Sequence, residues 1–168
     1  MRRIAEAVAL TPMAIYRHYA DKDALLDALM LDGFTAWEAR VAAIGVREPL
    51  AWLEQLGTSY VEFALGEPRR FEAAFLLPAR AARRYPGDFA AGRSPVIAMA
   101  MTQIERAKAT GLIAGEALEI ALSFAALAQG LVSMYRAGRF ADETEFRTAY
   151  AKAMAHCLRS FITEGRIT

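Results

Sequence analysis

Glycine and proline punctuate this chain at short intervals, and the stretches between the breaks space their apolar residues as helices do. Breaks fall at residues 9–12, 20–21, 45–49, 66–68, 85–95 and 111–115. They leave predicted helices at 2–8, 12–19, 22–44, 50–65, 69–84, 95–110, 116–137 and 143–164. No run alternates β-branched with polar residues as a half-buried strand would. The fold class is therefore expected to be all-α. The opening helices are short and closely spaced and the later ones longer, so a small head at residues 1–30 is expected on a larger helical body at 31–168.

Composition narrows the setting. An apolar fraction of 55% is ample for a core. A net charge of +1 gives no global attraction to nucleic acid or membrane, so any DNA site must be local. The one cysteine, Cys157, excludes an intrachain disulfide and a multi-cysteine metal site, which fits a reducing cytoplasm. The longest apolar stretch, residues 117–135, is interrupted by Glu119, Ser123, Gln129, Gly130 and Ser133, too polar on one stripe for a membrane span. A cytoplasmic protein is expected.

The head carries the most specific local signal. Ile4 and Val8 share a helix face. Thr11 before Pro12 is a helix start, because the hydroxyl can accept an orphan N–H and proline suits the first helical position. Ile15 and Tyr19 then recur at helical spacing, and Asp21 caps the next helix. Two short helices joined by a short turn match the helix-turn-helix plan, whose second helix enters the DNA major groove.

The combination Ile4-Ala5, Ala7, Thr11, Ile15-Tyr16, Tyr19 and Lys22 resembles the N-terminal motif of the tetracycline-repressor (TetR) family. Taken singly, Tyr16 could equally be a packed aromatic and Lys22 a solvated helix-start charge. The spaced set carries the resemblance. It implies an N-terminal helix-turn-helix followed by a helical ligand-binding and dimerisation bundle. It implies that Thr11 and Tyr16 hydrogen-bond phosphates, that Tyr19 fills the aromatic place, and that Lys22 pairs with the DNA backbone. Met13, Ala14, Arg17 and His18 complete the recognition helix, with Arg17 able to make a bidentate contact to guanine. The implied protein is a repressor released from double-stranded operator DNA by a small, largely apolar effector. The family's turn glycine is replaced by Ala9, which costs about 1 kcal/mol if the position needs positive φ. The family's first helix has no counterpart after Met1, so residues preceding Met1 are expected in the natural protein. A helical ligand-binding dimer that no longer binds DNA is the alternative.

In the body, Trp52, Tyr60 and Phe63, then Phe71 and Phe75, then Met99 and Phe124 suit an apolar effector cavity, against the plainer reading that they are ordinary core. Glu62, Arg80 and Gln103 are possible polar anchors, although surface placement is the simpler expectation for each. The helix at 116–137 is apolar nearly all round, with small residues Ala125, Ala128 and Gly130. The last helix puts Phe146, Tyr150, Met154, Cys157 or Leu158, and Phe161 on one stripe. These two helices are expected to form a homodimer across a two-fold axis, as the resemblance implies.

An enzyme is not expected. There is no Gly-x-Ser-x-Gly elbow, P-loop or His-Glu-x-x-His. Ile15 and Ala153 stand where a di-iron bundle would need glutamate before His18 and His156. Neither a cofactor nor a metal is called for.

Overall fold

A computed structural model describes residues 2–163. The elements are α1 (Arg2–Ala7), α2 (Pro12–Tyr16), α3 (Lys22–Ala42), α4 (Pro49–Gly66), α5 (Pro68–Phe75), α6 (Gly87–Ala90), α7 (Pro95–Ala109), α8 (Ala117–Arg136) and α9 (Glu143–Phe161). The fold is all-α; among the described residues the nearest thing to a strand is an isolated antiparallel bridge between Ile113 and Ile162. The predicted end of the last helix at Glu164 lies outside the described residues.

Local chemistry sets the helix starts. Thr11 accepts from the Ala14 amide at 3.2 Å, with Pro12 at the first helical position of α2. Asp21 accepts from the Ala24 amide at 2.7 Å and opens α3. Glu48 accepts from the amides of Leu50 and Ala51 before α4. Asp142 caps α9 by accepting from Glu145 N at 2.8 Å, while Glu145 reaches back to accept from Ala141 N.

One predicted helix is wrong. Residues 69–84 do not form a single helix: α5 stops at Phe75. Pro78 disfavours the α conformation at Leu77, and proline inside a helix also removes a hydrogen bond. The chain from Leu76 onward is irregular until the short α6.

By contacts the chain divides into two compact units. The first comprises Met1–Trp37 and Glu67–Ala82, the second Glu38–Gly66 and Arg83–Thr168. In the first, α1 packs on α2 through buried Ala5 and Ile15. Phe75 of α5 meets the rings of Phe34 at 5.3 Å, Trp37 at 6.4 Å and Phe71 at 5.0 Å. The helices touch most closely at Gly33, where a Cβ would lie 2.5 Å from the Arg70 carbonyl oxygen and 3.0 Å from Ala74 Cβ. A glycine inside a helix costs about 1 kcal/mol relative to alanine, and this close approach explains why one stands here.

In the second unit α4 lies against α7, α8 and α9. Trp52, Leu53, Leu56 and Phe63 of α4 are buried, as are Ile104 of α7, Val132 of α8 and Phe146 of α9. Among the described residues α8 is the helix long and apolar enough to cross a membrane by length and composition. Its Ile120, Phe124, Ala128 and Val132 are instead buried in this bundle. The stripe Phe146, Tyr150, Met154 and Leu158, which the sequence offered as a dimer face, is also buried within the protomer. Phe146 stacks on Tyr135 at 4.4 Å and meets the ring edges of Phe140 and Tyr150, which ties α9 to α8.

Gly33→Ala is expected to destabilise the first unit by a net ~1–2 kcal/mol, because displacing a backbone carbonyl outweighs the gain in helix propensity. Thermal unfolding checks this, and an unchanged or raised melting temperature would refute the close crossing.

Candidate functional site

The head exposes a compact set of side chains around one buried anchor. Ile15 is 7% exposed and holds α2 to α1, whereas Met13 and Tyr16 are 68% and 48% exposed. Thr11, Arg17, His18 and Lys22 are exposed as well. Ala14 and Tyr19 are half-buried, and the Tyr19 ring lies 6.5 Å from that of His18. The set offers a hydroxyl, a phenol, an imidazole and two cations on one short surface, a chemistry suited to phosphates and base edges.

The turn that aims this surface is built at Ala9. Leu10 N donates to Ala5 O at 2.9 Å and Ala9 N to Glu6 O at 3.2 Å, the two bonds of a Schellman helix end. Ala9 has φ +55°. The same pair of bonds ends α8, from Arg139 N to Met134 O and Gly138 N to Tyr135 O, but there a glycine takes the left-handed position. Ile4, Val8 and Leu10 around the turn are 38%, 55% and 53% exposed.

The aromatic residues assigned to an effector cavity fall in different units. Phe71 and Phe75 belong to the ring cluster of the first; Trp52, Tyr60, Phe63, Met99 and Phe124 belong to the second. Trp52, Tyr60, Phe63, Phe71 and Phe124 are buried, while Phe75 and Met99 are half-buried. Of these only Phe124 reaches the larger described cleft, about 490 Å³ between α4 and α9, whose floor includes Gly57, Tyr150, Met154 and Leu158. The Tyr150 hydroxyl donates to Gly57 O at 2.8 Å. Burial raises the Tyr150 pKa and, together with the neighbouring Tyr150 phenol, that of Tyr60.

Each suggested polar anchor is engaged by another side chain. Glu62 accepts from both Arg147 terminal nitrogens at the rim of this cleft, and Arg147 Nε donates to Glu143 at 2.7 Å. The Arg147 hydrogen bond holds the Glu62 pKa below its usual range, and the same bond raises that of Arg147. Gln103 accepts from Arg106, and Arg80 lies at the start of α3. Burial raises the Cys157 thiol, which leaves little reactive thiolate near neutrality. Sequence reasoning passed over Gly57 and Arg147. An uncapped glycine inside a helical pattern was the available sign for the first, and the Glu143–Arg147 spacing for the second.

Residues 53–158 match the profile described as the tetracyclin repressor-like C-terminal domain, and residues 1–29 match that of bacterial regulatory proteins of the tetR family. The chain belongs to the TetR family. It is a DNA-binding transcriptional regulator. A tetR-family regulatory protein from Rhodococcus RHA1 has a similar fold, with TM-score 0.73 and 21% identity over 95% of this chain and 84% of that one. A protein of unknown function from Rhodococcus sp. RHA1 aligns over 96% of this chain and 84% of its own, with TM-score 0.71 and 25% identity. No curated protein sequence matches significantly.

Two outcomes are expected. Ala9→Gly should slow amide exchange at residues 8–10 and stabilise the head by about 1 kcal/mol, since glycine adopts positive φ without the Cβ penalty. Glu62→Gln should lower stability at neutral pH by ~0.2–1 kcal/mol, the range for exposed ion pairs. A depressed carboxylate pKa stabilises the fold above the unfolded value, 4.5 for Glu62, and that contribution is lost as pH falls through the folded one. The difference between Glu62→Gln and wild type should therefore shrink in acid melts below that value.

Proposed function

We propose that this regulator is a homodimeric repressor released from its operator by a small, largely apolar molecule. The observation that carries this reading is the recognition surface: Ile15 is buried, Thr11 caps α2, and Met13, Tyr16, Arg17 and His18 point outward. In this reading Thr11, Tyr16 and Lys22 hold phosphates, and Met13, Ala14, Arg17 and His18 face base edges, with Tyr19 packed beside them. Residues 1–30 read DNA, and residues 31–168 receive the effector and the partner subunit.

Dimerisation through α8 and α9 is supported by what α8 leaves outside. Ser123, Ala126 and Gly130 are exposed at helical spacing, and such short side chains let a second helix approach closely. Within the second unit, Trp52, Tyr60, Phe63, Met99 and Phe124 supply apolar surface that an effector could enter by displacing packed rings. Repression follows if the apo dimer sets its recognition helices one DNA turn apart, about 34–36 Å, and the effector binds a different arrangement more tightly. The setting is the cytoplasm, and the work is regulation rather than catalysis.

One observation favours a second reading, an effector-binding dimer without DNA affinity. Exposed Ile4, Val8 and Leu10 beside a left-handed alanine make the head marginal.

Selection from a random DNA pool separates the two. The repressor reading expects enrichment of a palindromic site, loss of that enrichment with Arg17→Ala, and release by molecules that raise the melting temperature. Failure to enrich any sequence would leave the second reading standing.

A further inference from the structure

The DNA-reading unit contains a charge arrangement centred on a residue far from the recognition helix in sequence. Lys22, at the start of α3, is flanked by Asp21 and Asp23, with Asp27 one turn further on. Three carboxylates around a lysine offered to phosphate repel the DNA backbone and reduce the value of that contact. Arg80, 59 residues beyond Asp21, lies among them. Its Nη2 donates to Asp21 Oδ1 at 3.1 Å, and its Nε lies 3.7 Å from Asp23 Oδ2 and 3.8 Å from Asp27 Oδ2. The neighbouring Ala81 amide donates to Asp27 Oδ1 at 3.1 Å and holds the backbone beside the arginine. All of these residues belong to the first compact unit.

We propose that Arg80 is a positioning residue for DNA binding. By neutralising Asp21, Asp23 and Asp27 it lets Lys22 approach a phosphate, without touching DNA itself. Exposure supports a role in binding rather than in folding. The side chains of Arg80, Asp21 and Asp23 are 58%, 53% and 54% exposed, and ion pairs so open to water contribute little to stability. The field they set is nevertheless felt by a polyanion arriving at the same surface. The break of α5 at Phe75 is what allows the chain to turn and deliver Arg80 to this place. This inference rests on DNA binding by the head.

The test is fluorescence anisotropy of the full chain on a short mixed-sequence DNA duplex across a salt series, with thermal unfolding of each variant alongside. Arg80→Ala should bind about ten-fold more weakly with an unchanged melting temperature, and Arg80→Lys should stay within about two-fold of wild type. Adding Asp23→Asn to Arg80→Ala should restore most of the loss. The dependence of log affinity on log salt should change by much less than the ~0.9 unit that a lost phosphate contact removes. Wild-type affinity in Arg80→Ala, no rescue by Asp23→Asn, or a slope loss near that unit would each overturn the inference. Absence of binding by the wild type would instead overturn DNA binding by this chain, and the role of Arg80 with it.

Discussion

The backbone of α5 rests on α3 at Gly33, and the first unit is organised around that crossing. With no Cβ at residue 33, the carbonyl of Arg70 sits where any side chain would have to go. Closeness there puts Phe75 within ring contact of Phe34 and Trp37, with Phe71 against Phe75. It also sets Arg70 beside Asp32, whose carboxylate accepts from Arg70 Nε at 3.0 Å. Leaving α5, the chain passes Pro78 and returns to the opposite end of the same helix. A short-range steric fact in mid-helix thus decides which charges stand beside Lys22.

The second unit solves a different packing problem. Large side chains fill its interior, and the helices approach one another where residues are small. Gly57 is the clearest case: a Cβ there would stand 3.2 Å from Phe124 Cζ and 3.5 Å from Met154 Cε. The same residue offers its carbonyl to the buried Tyr150 hydroxyl, which leaves that polar group satisfied. The aromatic stripe of α9 is thereby spent on this interior.

What could be read from the sequence was local. Thr11, Pro12, Asp21 and Asp142 announce helix starts because caps act over three or four residues. Helical spacing showed that Phe71 and Phe75 share a face but not which helix they meet. Phe75 meets Phe34 and Trp37 of α3. The error at residues 69–84 was avoidable, since Leu77-Pro78 is a helix terminator visible in the sequence. The pairing of Arg80 with Asp21 and of Arg147 with Glu62 was beyond reach, spanning 59 and 85 residues with no local pattern to join them. In α2, the buried anchor Ile15 and the cap Thr11 were legible. The half-burial of Ala14 and Tyr19 follows from tertiary packing.

The left-handed alanine has a further consequence when its alternative is considered. If Ala9 relaxed into the right-handed well, α1 would continue toward α2 and the two could merge into one longer rod. Pro12 forbids that product: its ring would collide with the carbonyl of Val8, and it has no N–H to give in return. The bend between the two helices is therefore held less by its own stability than by the lack of a competitor. A tight turn with a poor residue at its apex can remain unique when the next proline has closed the other exit.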